Sequence, residues 1–223
     1  MNDALIADSS AWPHTALARL RYHFWLKAIG TTTFISVFFV AYFQVLRSTA
    51  DRATLMPVTL LDHWIGFEHL ALYPYASLWL YVGLPPALLA GYRELIAYGW
   101  WVGGLCVAGL LCFFLWPTAV PPNAIDTSMY PAFQIIQGMD AAGNACPSLH
   151  VATAAFSAIW LDRLLDELGG GWRVRVVNGL WFALIAWSTM ATKQHVALDV
   201  LAGCALAVVF ALPSLRLRPR ENA

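Results

Sequence analysis

The chain has 223 residues, of which 60% are hydrophobic and 12% charged, and its mean hydropathy is +0.61. Soluble domains carry about 25% charged residues, so this composition excludes an ordinary soluble protein and indicates a membrane protein. The formal net charge is zero, which excludes the strongly basic surface typical of nucleic-acid-binding proteins.

Six apolar segments follow one another along the chain, and a helix needs about 20 such residues to cross a bilayer. The predicted spans are residues 28–46, 70–92, 95–116, 147–161, 176–191 and 194–212. Pro85 and Pro86 predict a kink or an early end in the second span. We therefore predict an all-α fold, a polytopic integral membrane protein whose six-transmembrane-helix bundle covers residues 28–213. Residues 1–27 are predicted to be a cytoplasmic lead-in, and residues 214–223 a basic cytoplasmic tail.

The orientation follows from the positive charges, because six spans put both termini on one side of the membrane. With cytoplasmic termini, ten Lys and Arg residues lie inside and three, Arg47, Arg52 and Lys193, lie outside. Cytoplasmic loops carry an excess of Lys and Arg, so residues 117–150 and 188–195 are predicted to meet on the outer side. Frequent Ala, Arg and Trp favour a bacterial inner membrane, with a periplasmic active site.

His150 opens the fourth predicted span and His195 opens the sixth, so the topology brings both imidazoles to the same membrane face. Asp199 follows His195 by four residues, and on one continuous helix the two side chains would share a face. The carboxylate would then accept the Nδ1–H and leave Nε2 free as a base or nucleophile. A plainer interpretation is a capped helix start with a satisfied His–Asp pair, but ionisable groups beside a membrane span usually have a function.

Ser148 stands where a helix N-cap is expected, and helix N-termini bind anions through unpaired N–H groups. An N-cap role and a phosphate contact are compatible for this hydroxyl. Two imidazoles, an orienting carboxylate and helix-terminus donors at a membrane edge indicate phosphoryl transfer on a lipid head group. The four cysteines show no zinc spacing and no disulfide framework, and we expect no metal and no cofactor.

These clusters resemble two motifs of the type 2 phosphatidic acid phosphatase superfamily. Pro147-Ser148-Leu149-His150 is similar to the Pro-Ser-Gly-His motif of that family. Ser188-Thr189, followed after five residues by His195 and after three more by Asp199, is similar to its Ser-Arg, His and Asp motif. The order of the motifs and the six-span frame match as well, and the resemblance covers residues 55–212.

The chain also departs from the family pattern. The first family motif, Lys, six residues and Arg-Pro, is absent, and residues 116–122 take its place. Thr189 replaces the Arg of the third motif and Leu149 replaces a Gly. The three basic phosphate-holding residues are therefore missing at their matched positions, which leaves Lys193 as the basic residue near the site. Leu149 together with residues 192–195 is more similar to the branch that contains inositol phosphorylceramide synthases.

The resemblance implies a membrane lipid phosphatase with a phosphohistidine intermediate. His195 would attack phosphorus, Asp199 would orient the imidazole, and His150 would protonate the leaving lipid oxygen before activating water or an alcohol. An imidazole can both donate and accept a proton at neutral pH because its unperturbed pKa is about 6.5. The predicted substrate-binding residues are Ser148, Lys193, Asn144, Ser188 and Thr189.

A dianionic phosphate monoester favours about two compensating cations, whereas a diester carries one negative charge. Because Lys193 is the one nearby cation, unless Arg47 or Arg52 folds into the site, we hypothesise a diester or a bulky lipid phosphate rather than simple phosphatidic acid. The expected partners are a phosphorylated lipid substrate and the lipid bilayer, with no nucleic acid. The sequence does not indicate the lipid, the acceptor or the oligomeric state.

Three alternatives remain open. A lipid phosphotransferase would move a phospho-head-group onto a lipid alcohol with the same two histidines. A transporter would use His150, His195 and Asp199 as a proton relay, although the order of the motifs is not typical of a relay. A non-catalytic relative would bind lipid and release no phosphate, since the basic residues are lost.

Overall fold

The computed structural model describes residues 12–122 and 144–219, and within these ranges the chain is mostly helical. The helices in chain order are α1 Trp12–Arg21, α2 Phe24–Thr49, α3 Leu60–Trp64, α4 Leu72–Tyr81, α5 Leu84–Leu88, α6 Tyr92–Leu115, α7 Leu149–Glu167, α8 Gly171–Ala191 and α9 Ala197–Arg216. Short 3₁₀ turns at Ala50–Arg52 and His69–Ala71 join some of them. One feature adds to the predicted all-α fold, a parallel pair of two-residue strands, β1 Thr54–Leu55 and β2 Thr118–Ala119.

Four helical segments of the described chain are long and apolar enough to cross a membrane. They are Phe24–Arg52, Tyr92–Leu115, Gly171–Ala191 and Ala197–Arg216, which correspond to the first, third, fifth and sixth predicted spans. The predicted second span is divided, because α4 ends at Tyr81 and α5 begins at Leu84 with Pro85 and Pro86 in its first turn. Proline is tolerated at the start of a helix and breaks its interior, so the predicted early end is confirmed.

The fourth predicted span corresponds to α7, which is the most enclosed helix of the described bundle. It packs along α8 and α9 and also contacts α4, α5 and α6. Most of its residues are buried, and its last two turns carry four charged side chains, Asp162, Arg163, Asp166 and Glu167. These charged side chains lie at the end of α7, where they are partly or fully exposed and form ion pairs.

The starts of α7 and α9 lie next to each other because one glycine lets the helices approach closely. A Cβ at Gly203 of α9 would lie 2.5 Å from the carbonyl oxygen of Ser148. Small residues permit this kind of close helix packing. The Ser148 N–H also donates to the Asp199 carbonyl oxygen at 3.0 Å. The two histidine-bearing segments therefore meet at one end of the bundle.

Ion pairs connect the helices at the other end. Arg175 of α8 binds two carboxylates of α7, and Arg218 binds carboxylates of α6 and α7. The pairs are Arg175 with Asp162 and Asp166, and Arg218 with Glu94 and Glu167. Trp160 donates its Nε1–H to the Ser214 hydroxyl at 2.8 Å, which further fixes α9 against α7.

Candidate active site

Four side chains form a continuous series where α7 and α9 begin. His150, in the first turn of α7, has its Nδ1 3.3 Å from Nε2 of His195. The Tyr75 hydroxyl of α4 lies 3.1 Å from Nε2 of His150. On the far side, Oδ2 of Asp199 lies 3.5 Å from Nδ1 of His195. Three separate parts of the chain thus bring together two imidazoles, a phenol and a carboxylate.

His195 and Asp199 do not lie on one continuous helix, so this part of the sequence prediction is wrong. The last helix begins at Ala197, and His195 precedes it in a loop. The backbone N–H of His195 donates to the Thr189 carbonyl at 3.1 Å, and that of Val196 donates to Asp199 Oδ2 at 2.9 Å. Asp199 therefore caps its own helix, and this cap brings the carboxylate beside the imidazole.

The His–Asp pair is only partly satisfied. A separation of 3.5 Å is longer than a hydrogen bond, and both side chains are almost fully buried. Within the described residues, neither Nδ1 of His195 nor Oδ1 of Asp199 has a hydrogen-bond partner. Buried polar atoms are nearly always paired, and an imidazole that gains positive charge would find the Asp199 carboxylate already in place.

Proton donation from Tyr75 to His150 and from His150 to His195 is consistent with both hydrogen bonds of the series. If the His195 ring carries its proton on Nδ1, toward Asp199, then its Nε2 accepts from the Nδ1–H of His150. The Nε2 of His150 then accepts from the Tyr75 hydroxyl. In this arrangement the Nε2 lone pair of His195 points at a proton donor on His150 rather than at bulk solvent.

The segment around α3 holds the loop that carries His195. Lys193 adopts a left-handed backbone conformation with φ 59°, and its ammonium group donates to the Asp62 and Ile65 carbonyl oxygens. The Asp62 carboxylate accepts from the Ala197 N–H at 2.7 Å, and from the N–H and hydroxyl of Thr59. Lys193 is thus bound to α3 and does not line the cavity at the histidines.

The same contacts set the charge state of Asp62. Burial alone would raise the pKa of this carboxyl group, but the hydrogen bonds from Thr59 and Ala197 and the charge of Lys193 hold the pKa below its ordinary value. Asp62 is therefore charged at neutral pH. An anionic side chain at the first turn of α9 stabilises that helix through its dipole and its unpaired N–H groups.

Of the other predicted substrate-binding residues, three have hydroxyls buried within the helices and one lines the cavity. Ser148 caps α7 by accepting from the Val151 N–H at 3.2 Å, and its side chain is fully buried. The Ser188 and Thr189 hydroxyls are also buried and donate to carbonyl oxygens three residues earlier in α8. Asn144 lines the cavity and donates to the Tyr42 hydroxyl. Their contacts with substrate stay predictions.

A large apolar cavity opens at the two histidines. Its volume is about 860 Å³, and apolar side chains of α2, α4, α6 and α7 form most of its wall. His150, His195 and Asn144 lie at one end of it. Ligand cavities of about 300–1,000 Å³ with few polar groups are typical of small-molecule sites, and this one suits a ligand with a polar head and a long apolar part.

Positive charge is scarce near the histidines. Among the described residues, Lys27 is the one basic side chain that lines the cavity. Arg52 donates to the Phe114 carbonyl at 3.0 Å, and Arg47 is exposed. Residues 123–143, outside the described ranges, contain neither Lys nor Arg.

Sequence reasoning missed Tyr75 and Asp62. Tyr75 lies in an apolar span among other aromatic residues, and no sequence signal distinguishes it. Asp62 has a partial signal, because Thr59 and Asp62 are spaced as a helix-capping pair. That spacing predicts the start of α3, but not the hydrogen bond to Ala197, which lies far away in sequence.

The apolar helices and the family comparison together indicate an integral membrane protein, and the paired histidines give it a candidate phosphotransfer site. The family model described as the PAP2 superfamily matches residues 52–212. The chain therefore belongs to the PAP2 superfamily, whose members are generally phosphoric ester hydrolases, and membership suggests a phosphatase or phosphotransferase. Neither the curated proteins nor the solved structures gave a significant match.

Proposed function

We propose that this protein cleaves or transfers the phosphoryl group of a phosphorylated lipid through a phosphohistidine on His195. The observation that carries the proposal is the contact of 3.3 Å between His150 and His195 at the end of an apolar cavity. A nucleophile needs an adjacent proton-transfer group and an orienting group behind it, and His150 and Asp199 stand in these two places.

In the first step, a lipid phosphate enters between the rings and replaces the hydrogen bond between the two histidines. Nε2 of His195 attacks phosphorus, the bond from phosphorus to the lipid oxygen breaks, and His150, which enters this step protonated on both ring nitrogens, gives that oxygen a proton and becomes neutral. The imidazole gains positive charge when it is phosphorylated, and the Asp199 carboxylate at 3.5 Å stabilises it. In the second step, His150 takes a proton from water or an alcohol, whose oxygen displaces His195 from phosphorus.

The charge balance favours a substrate with one negative charge. A dianionic monoester favours about two cations, and the histidine end of the cavity has no Lys or Arg among the described residues. Lys193, the cation expected from sequence, is used to hold α3. We therefore favour a lipid phosphodiester or a bulky lipid phosphate over phosphatidic acid.

The second candidate is a lipid phosphotransferase, as in the branch that contains inositol phosphorylceramide synthases. The observation in its favour is the low water access, because the His195 side chain is 4% exposed and faces an apolar cavity. A phosphohistidine in such a place would survive until an alcohol arrives. The excess of Lys and Arg on the predicted inner side leads us to place the reaction at the outer leaflet, in a bacterial inner membrane.

The test uses purified protein in detergent with a panel of lipids: phosphatidic acid, phosphatidylglycerol phosphate, undecaprenyl diphosphate, and a phosphodiester lipid with an alcohol acceptor. Products are followed by mass spectrometry, and His195→Ala is the control. We expect turnover that requires His195, with the diester preferred over the monoester. Turnover by His195→Ala at the wild-type rate would contradict the proposal, and lipid binding without turnover by either protein would favour a transporter or a non-catalytic relative.

A further inference from the structure

The cavity continues far beyond the histidines. One face of α2 lines it from Tyr42, near the histidines, to Lys27. These 15 helical steps correspond to about 22 Å at 1.5 Å per residue. The hydrocarbon region of one leaflet is about 15 Å deep, half of a bilayer core of about 30 Å. The cavity therefore reaches deeper than the tail region of a single leaflet.

A fixed polar group lines the far end. The Lys27 ammonium donates to the carbonyl oxygens of Arg19 and Ala87, each at 2.7 Å, and the residue is 7% exposed. These bonds join α1 and the end of α5 to α2. A buried cation is retained only where its donors are satisfied, so this end of the cavity holds a fixed polar group, unlike the apolar wall above it.

Two glycines line the cavity close to Lys27. Gly30 of α2 and Gly99 of α6 both line it, and a Cβ at either would meet no atom within 4 Å. One turn nearer the histidines the helices touch, because a Cβ at Gly103 would lie 3.6 Å from the Phe34 ring. Side chains added at Gly30 or Gly99 would therefore extend into open space and shorten the cavity.

We infer that the cavity measures the length of the substrate's apolar chain. With the phosphate at the histidines, the chain extends along α2 and α6, and its end reaches the space at Gly30 and Gly99 above Lys27. The position of the phosphate rests on the proposed function. The substrate class is then a lipid phosphate with one long apolar chain that inserts into the protein, and Gly30 and Gly99 determine the longest chain that fits.

The experiment measures kcat/KM for alkyl 4-nitrophenyl phosphodiesters with hexyl to octadecyl chains, in wild type, Gly30→Leu and Gly99→Leu. Gly179→Leu is the matched control, since Gly179 of α8 also has open space around it but does not line the cavity. In wild type, kcat/KM should rise by up to about fourfold per added methylene until the chain reaches the polar end at Lys27. Both cavity variants should reach their maximum at a shorter chain, and the control should match wild type.

A second readout does not depend on turnover. Alkylphosphonates of the same chain lengths should raise the melting temperature of the detergent-solubilised protein, because a ligand that binds the folded state stabilises it. The chain length with the largest increase should again be shorter in Gly30→Leu and Gly99→Leu. If wild type turns over neither a diester nor any other lipid phosphate, the proposed function fails, and these melting shifts alone decide the chain-length inference. Cavity variants that melt like wild type and keep its chain-length profile would overturn it.

Discussion

The two ends of the helix bundle use polar side chains in opposite ways. At one end, Arg175 and Arg218 each bind two carboxylates from neighbouring helices. About 25 Å away along α7, His195 Nδ1 and Asp199 Oδ1 are buried without hydrogen-bond partners among the described residues. The first end pairs its charges, while the second keeps reactive groups close together and incompletely paired.

This difference suggests that one end of the bundle stabilises the fold and the other end carries the candidate site. Paired polar groups hold helices together, whereas a buried polar atom without a partner costs roughly 1–3 kcal/mol. Such a cost is retained where the atom has another task, and under the proposed function that task is to meet a phosphoryl group. We therefore expect changes at the ion-paired end to alter unfolding and changes at the histidine end to alter turnover.

The largest contrast should come from His150→Gln and Arg218→Met. Loss of the proton-transfer group should lower kcat by about 10²–10⁴-fold, with little change in melting temperature. Arg218→Met removes the ion pairs to Glu94 and Glu167, of which Glu167 keeps Arg163 at 3.0 Å, and should cost about 1–3 kcal/mol of stability, with kcat per folded molecule unchanged. Kinetics and thermal melting of both variants test this. Similar losses of kcat in both would show that the ends are not separate.

The two buried tyrosines of α4 give a matched comparison. Tyr75 contacts His150, while Tyr81 donates to the Asn178 side-chain oxygen at 2.7 Å. Tyr75→Phe removes the hydroxyl that contacts His150 and should lower kcat by about 10-fold or more, with KM nearly constant. Tyr81→Phe should cost about 1 kcal/mol of stability and leave kcat unchanged. Equal kcat values for the two variants would remove Tyr75 from the site.

Close packing at Gly203 should matter to both stability and turnover. Gly203→Ala places a Cβ against the Ser148 carbonyl, which should cost about 1–3 kcal/mol and move the starts of α7 and α9 apart. Gly179→Ala meets open space and should be neutral or stabilising by up to about 1 kcal/mol, since Ala favours helix. Opposite signs in thermal melting, with lower kcat only for Gly203→Ala, are the expected result. A stabilised Gly203→Ala would contradict this packing.

The smallest effect concerns pH. Because the folded pKa of Asp62 lies below its ordinary value, its contribution to stability is present above about pH 4 and is lost as the pH falls through the folded pKa. Asp62→Asn should therefore destabilise by up to about 1 kcal/mol at neutral pH, and this difference should shrink toward pH 3 (about). The exposed Asp51→Asn control should differ little from wild type at either pH. A difference that grows in acid would contradict the contacts of Asp62.

Much of the site could be predicted from sequence, since the order of apolar segments alone brings His150 and His195 to one end. The contact with Asp199 was predicted for an incorrect reason, because a helix start at Ala197 depends on a cap rather than on apolar periodicity. The role of Lys193 was not predictable, since its carbonyl partners on α3 are distant in sequence. Tyr75 was missed because composition cannot distinguish a core tyrosine from one that contacts an imidazole.

The fold shows a similar division. Length and hydropathy locate the four helices of the described chain that qualify as membrane spans, while α4, α5 and α7 depend on tertiary context. The prolines after Tyr81 end one helix and start another, and the charged residues of α7 lie at its exposed end, where they form ion pairs. Each of these outcomes follows from packing with distant segments, which a single sequence does not display.

The most direct measurement is capture of the covalent intermediate. The protein is mixed briefly with a lipid phosphodiester, quenched at alkaline pH, where phosphohistidine is stable, digested, and examined by mass spectrometry for an added phosphoryl group that still carries the ester group that was not displaced. We predict a phosphorylated His195 in wild type, none in His195→Ala, and a detectable amount in His150→Gln when the substrate has a good leaving group. Rapid turnover with no phosphorylated His195 at any time, or with phosphate on another residue, would contradict the account.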